Sequence, residues 1–329
     1  MRCKSFSATF VTVLLLLFCF MFCACGGDSD AAGNSSSNPL PLDSSPSTPS
    51  SVSTEAAPAK GTRGSTPVSY IGSADGTVIY GNDSVTIDAS SANSGYLMVN
   101  YTGSCDKVKF RITGPDEVTY TYDLHGGFET FPFTSGNGTY AIGVFENIEG
   151  TSYSTLFSEN IEITLTDELL PFLYANQYVD YANAPVAIAK GSELAYSANT
   201  DLDVVESVYN YIISNFTYDY DKAKTVPKGY LPVVDDIMSK KTGICFDYAA
   251  VMATMLRTQN IPTRLEVGYM KEEYHAWISI YTSEHGWING LIEFDGTDWK
   301  LMDPTFAASS KKPLDFIMDT EKYITKYVY

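Results

Sequence analysis

Lys241-Thr242-Gly243-Ile244-Cys245-Phe246-Asp247-Tyr248-Ala249-Ala250, running on to Arg257, decides how the second half of this 329-residue chain is read. Positions 245, 248, 249, 252, 253 and 256 carry Cys, Tyr, Ala, Met, Ala and Leu, one continuous apolar face at helical spacing. Asn260 and Pro262 end this helix, and Gly243 stands where the backbone must turn sharply into it. A cysteine therefore opens a helix. The unpaired N–H groups and positive dipole end of a first turn stabilise a thiolate there. Taken alone, Cys245 still reads first as a small hydrophobe on an apolar face.

Strands follow the helix. Leu265, Val267 and Tyr269 alternate with Arg264 and Glu266. His275, Trp277 and Ser279 share one face of the next strand, and Ala276, Ile278 and Ile280 take the other. A last strand, Trp299-Lys300-Leu301-Met302-Asp303, stops at Pro304. Upstream, the spacing predicts a helix over Leu202–Phe216, with Asp203 and Glu206 arranged like a capping box, and a short helix over Val233–Lys240. Helices first and an antiparallel sheet after them make an α+β domain, placed at 167–329.

Three residues of this region have the chemistry of a nucleophilic triad: Cys245 as thiol, His275 as proton carrier, Asp303 to fix the imidazole. His275 and Asp303 are expected on neighbouring strands. Gly243-x-Cys245 at a helix start, then His275-Ala276-Trp277, then Asp303-Pro304-Thr305, resembles the core of the transglutaminase-like superfamily, whose domain is papain-like. The order Cys, His, Asp and the separations of 30 and 28 positions agree with it, as does Asn260-Ile261-Pro262-Thr263-Arg264 after the helix. The likeness is densest from Gly243 to Phe306 and covers about a third of the chain.

The resemblance implies that Cys245 attacks an amide or ester carbonyl to give a thioester. His275 would act as general acid–base and Asp303 would orient it. The Cys245 backbone N–H would hold the oxyanion. A second oxyanion donor is sought upstream, where Tyr218 is the candidate and Tyr220 nearly as good. Asp219 and Asp221 lack the further loop ligands that calcium needs, so no metal and no cofactor is assigned.

The region 67–166 reads differently. Val108, Phe110 and Ile112 alternate with Lys107, Lys109, Arg111 and Thr113, and the pattern returns at Val118–Leu124, Tyr140–Val144 and Ile161–Leu165. Earlier candidates are Thr77–Tyr80, Ser84–Ile87 and Tyr96–Tyr101. Short strands separated by Gly, Asn and Asp turns predict an Ig-like antiparallel β-sandwich. Its tyrosines read as packing before they read as a sugar-binding platform. His125 reads as a loop histidine, and Cys105 as an incidental thiol in a turn.

Arg2 and Lys4 precede an apolar run from Phe10 to Ala24, too short for a membrane span and shaped like a secretory signal over residues 1–24. Phe22-Cys23-Ala24-Cys25 resembles a bacterial lipobox, with Phe22 where leucine is usual. That resemblance implies a lipid on Cys25 and an extracytoplasmic protein anchored to the bacterial cell membrane. Residues 25–66, rich in Ser, Pro and Thr without one aromatic residue, read as a disordered tether spanning about 35 Å.

The charge narrows the partners. Removing residues 1–24, which hold two basic residues and no acid, takes the net charge from −18 to −20. Nucleic acid is excluded, because phosphate binding needs clustered Lys and Arg. Of six cysteines, four crowd the first 25 residues, so a disulfide scaffold is excluded too. The expected function is acyl transfer at amide bonds of proteins or peptides in the cell envelope, with hydrolysis preferred over transamidation. The competing expectation is a non-catalytic cell-surface binding module with a relic triad.

Overall fold

Alternating apolar residues build two antiparallel sheets in the first folded region of the computed structural model, which describes residues 58–270, 272–294, 299–301 and 323–329. The strands are β1 (Ile79–Asn82), β2 (Val85–Asp88), β3 (Tyr96–Tyr101), β4 (Val108–Thr113), β5 (Thr119–Asp123), β6 (Glu129–Pro132), β7 (Gly138–Glu149) and β8 (Ser152–Ile163). One sheet has the order β1-β2-β3-β6 and the other β5-β4-β7-β8. Their inner faces meet through aromatic rings: Phe110 and Tyr122 of the second sheet lie 4.7 and 4.8 Å from Phe131 of the first. Tyr120, Tyr122 and Tyr140 are buried in this core, which makes them packing residues. The sequence reading has no counterpart for β6, whose four residues are too few for an alternation to register.

Helices and a mixed layer follow: α1 (Pro185–Leu194), α2 (Asp201–Asn215), β9 (Thr217–Tyr218), α3 (Tyr220–Thr225), α4 (Val234–Lys240), β10 (Thr242–Gly243) and α5 (Cys245–Arg257). The cap of α2 sits one turn earlier than its pattern suggests. Thr200 Oγ1 accepts from the Asp203 N–H at 3.1 Å, and Asp203 Oδ2 accepts from the Thr200 N–H at 3.0 Å. Asp203 is thus the third helical residue and not the cap, and the Asp203/Glu206 box is corrected to Thr200/Asp203.

The remaining strands are β11 (Thr263–Met270), β12 (Glu273–Thr282), β13 (Gly286–Phe294), β14 (Trp299–Leu301) and β15 (Tyr323–Val328), in the sheet order β14-β13-β12-β11-β15. This order corrects one expectation. A tight turn at 283–285 folds β13 back along β12, so β13 separates the strand of His275 from β14, the strand that leads toward Asp303. Asp303 itself, Cys25 and the apolar run before it lie outside the described residues.

Helix α5 is the centre of this layer. Every residue from Asp247 to Arg257 is buried, with α1, α2 and α4 on one side and β11 and β12 on the other. A helix enclosed on all sides must bury its polar residues with partners, and both Asp247 and Arg257 have them. The buried apolar residues of the sandwich and of this layer form one continuous cluster.

The end of the expected tether is not loose. From Gly61 the chain lies across the helical layer: the Gly61 N–H donates to the Tyr196 carbonyl and the Arg63 N–H to that of Ala198. Arg63 Nε meets Asp201 at 2.6 Å and its Nη2 donates to the Gln259 carbonyl at 2.5 Å. A Cβ on Gly61 would lie 2.0 Å from the Ala198 carbonyl oxygen, so only glycine permits this approach. Low aromatic content had suggested disorder up to residue 66, but backbone hydrogen bonds and one ion pair dock this stretch without apolar burial.

Candidate active site

The entry into α5 is built by two short strands. Thr242 and Gly243 of β10 pair in parallel with Thr217 and Tyr218 of β9, which sets Tyr218 beside the residues that lead into Cys245. A Cβ on Gly243 would lie 2.7 Å from that of Asp247, so the sharp entry requires glycine. Asp247 Oδ2 accepts from the Ile244 N–H at 2.8 Å and closes the first turn. Cys245 is the first residue of the helix, as its position in the sequence predicts.

Cys245 lies on the wall of a cleft of about 450 Å³. Its other walls come from Tyr218, from the loop Val226–Tyr230, from Tyr274 and His275 of β12, and from Tyr178 and Tyr329. The structure thus brings Cys245, His275 and Tyr218 to one place. Tyr220 is 54% exposed and is not among the cleft residues. Asp219 caps α3 by accepting from the Lys222 N–H at 2.8 Å, a structural task that accounts for it. Among the described residues no group of His, Cys, Asp and Glu is arranged to hold a metal ion.

Burial pushes the Cys245 thiol up from its usual range. Three donors pull the other way: the N–H groups of Ala276 and Phe246 and the Tyr218 hydroxyl all reach the sulfur. The Asp247 carboxylate adds to the upward push. Burial is also the main reason why the Tyr218 phenol is held well above its normal range. The site therefore aims three hydrogen-bond donors at the sulfur. Cys105, the other free cysteine among the described residues, sits near the Lys107 carbonyl far from any such arrangement.

His275 is buried, and its ring lies 6.5 Å from that of Trp277 on the same strand face. Trp277 is fixed in turn: its Nε1–H donates to Glu266 Oε2 at 2.6 Å. Glu266 is itself buried, and that burial pushes its carboxyl up. Ala276, Ile278 and Ile280 take the opposite face and join the apolar cluster against α5. The strand therefore alternates as its sequence suggests.

Three residues escape the sequence reading. Lys222 Nζ lies 2.5 Å from Asp247 Oδ2 and 2.8 Å from the Tyr230 hydroxyl, which donates to Asp247 Oδ1 at 2.7 Å. The local signal was an acid two residues after the cysteine, in the first turn of a largely apolar helix. We expect His275→Ala to abolish the preferential alkylation of Cys245 over Cys105 at mildly acidic pH, read by peptide mass spectrometry. Unchanged preference would mean that the imidazole takes no part in activating the thiol.

Residues 188–290 match the family model described as Transglutaminase-like superfamily. The protein YebA of Bacillus subtilis (strain 168), described as uncharacterized, is 31% identical over 106 residues, which are 26% of this chain and 14% of YebA. The UPF0252 protein MJ1282 of Methanocaldococcus jannaschii is 26% identical over 161 residues, 44% of this chain and 46% of that protein. The chain thus spans less than half the length of either relative. Among solved structures, the periplasmic domain of TgpA from Pseudomonas aeruginosa, bound to ethylmercury, is 16% identical with a TM-score of 0.31, covering 63% of this chain and 94% of that one. The stretch matched by the family model holds both the head of α5 and the strand of His275. Residues 188–290 are thus the part of this chain that is similar to the transglutaminase-like superfamily.

Proposed function

We propose that this protein is an extracytoplasmic cysteine enzyme, held at the bacterial cell membrane by a lipid on Cys25, that cleaves or transfers acyl groups at amide bonds of envelope proteins or peptides. The observation that carries the reading is Cys245 at the head of α5, in a cleft it shares with His275, with the Ala276 N–H and the Tyr218 hydroxyl at its sulfur. In the first half-reaction the Cys245 proton passes to His275 and the sulfur attacks the carbonyl carbon. The Cys245 backbone N–H and Tyr218 hold the oxyanion. As the C–N bond breaks, His275 returns the proton to the leaving amine, leaving a thioester. Water or a second amine then attacks the thioester, and the thiol is restored.

Water is taken as the favoured acceptor on the family resemblance. Asp303 is given the task of orienting His275 on the family resemblance alone. The strand order β1-β2-β3-β6 and β5-β4-β7-β8 supports the Ig-like reading of the sandwich, since consecutive strands cross between its sheets.

The test incubates the full chain with cell-envelope material and a tagged primary amine, beside Cys245→Ala. Mass spectrometry of newly released fragments is expected, with little tag incorporated. Tag incorporation without release would make the protein a cross-linking enzyme. Neither product would leave a binding module.

A further inference from the structure

The reading of Cys245 as nucleophile leaves a difficulty in its own helix. Asp247, two residues along, is a fully buried carboxylate, and a negative charge so close opposes formation of a thiolate. It cannot simply be dispensed with, because its Oδ2 closes the first turn by accepting from the Ile244 N–H. We propose that Lys222 is a positioning residue whose ammonium, bound to Asp247 and Tyr230, cancels this carboxylate and thereby keeps the thiol of Cys245 able to ionise.

The geometry supports it from three sides. Lys222 Nζ is 2.5 Å from Asp247 Oδ2, close enough to act on it as a compensating charge. The same nitrogen lies 4.3 Å above the Tyr230 ring centroid and 2.8 Å from its hydroxyl, so the ammonium is held in one place. Tyr230 in turn gives its proton to Asp247 Oδ1 at 2.7 Å, which occupies the carboxylate's other oxygen. Lys222 belongs to α3 and Tyr230 to the loop that forms a cleft wall, so one ammonium also ties that wall to the first turn of α5.

The other titratable groups facing the thiol do not duplicate this role. Tyr218 from β9, Tyr274 from β12, and Tyr178 and Tyr329 across the cleft are phenols. Lys228 lines the cleft from the loop but makes no ion pair with Asp247 among the described residues. His275 lines the same cleft and is assigned to the sulfur by the proposed function.

The test follows the rate of Cys245 alkylation in the full chain from roughly pH 5 to 9, with isotope-coded iodoacetamide and peptide mass spectrometry to separate it from the other cysteines. Lys222→Met is expected to raise the midpoint by about one unit, a roughly tenfold loss of reactivity at neutral pH. Asp247→Asn alone is expected to lower it. The double variant Lys222→Met/Asp247→Asn should return to within about half a unit of the native midpoint. A purely structural contact would give a double variant no better than Lys222→Met, and that result overturns the proposal. So does an unchanged midpoint in Lys222→Met. If Lys222→Met does not fold, Asp247→Asn decides: a midpoint that stays or rises refutes the charge argument. Alkylation needs no turnover, so this outcome is independent of whether Cys245→Ala abolishes activity.

Discussion

Cys245→Ala is expected to cut amide-bond turnover by about three to six orders of magnitude while leaving the fold unchanged. The loss is large because the residue supplies the bond-forming atom, and the donors around it only stabilise what that atom creates. Ala276 N–H and Tyr218 would still face the cleft, so a small residual rate from positioning and oxyanion binding is expected. Alanine is the best helix former and keeps the apolar contact at the head of α5, so unfolding should move little. Single-turnover release of product, measured beside thermal unfolding, separates the two effects. Retained turnover with a native melting curve would remove Cys245 from the chemistry and with it the acyl-transfer reading.

Arg257→Met is expected to destabilise the folded region by about 4 kcal/mol, a fall of roughly 10 °C in the unfolding midpoint. Arg257 closes α5 and is fully buried. Its Nε and Nη2 donate to the Thr263 carbonyl at 3.0 and 2.7 Å, its Nη1 to that of Tyr174 at 2.7 Å, and Nη2 also to the Tyr329 oxygen at 2.7 Å. Burial lowers its guanidinium to about 10, so it stays charged at neutral pH. Two effects compete on substitution. Methionine relieves the desolvation of a buried cation, and it strands the Thr263 and Tyr174 carbonyls, while the Tyr329 oxygen keeps the Leu265 N–H. Each stranded acceptor costs about 1–3 kcal/mol, and methionine supplies no donor, so the second effect wins. A midpoint within about 2 °C of native would show that water reaches these carbonyls instead.

The elements that could be read were those with a local signal. Alternation at Val108–Thr113 and helical spacing from Cys245 to Arg257 are both properties of contiguous residues, and both elements occupy the stretches expected. The neighbours of Cys245 were harder. Tyr218 comes close because β9 pairs with β10, two-residue strands that carry no periodicity of their own. Lys222 and Asp247 are 25 positions apart, and nothing in either local pattern announces the pair. The strand order failed for a related reason. Gly286–Phe294 forms the hairpin partner of β12, and its mixture of Gly, Asn and apolar residues lacks a clean alternation. The docked strap from Gly61 shows that low apolar content measures what a segment cannot bury, and leaves backbone hydrogen bonding out of account.

That strap also fixes the path of mechanical load. A pull on the chain ahead of Gly61 meets Tyr196, Ala198 and Asp201 first, then Gln259 at the end of α5, before any strand of the sandwich. Tension from the amino-terminal side is therefore carried by the helical layer, in shear across hydrogen bonds and one ion pair, and the two sheets stay slack until that seam gives way.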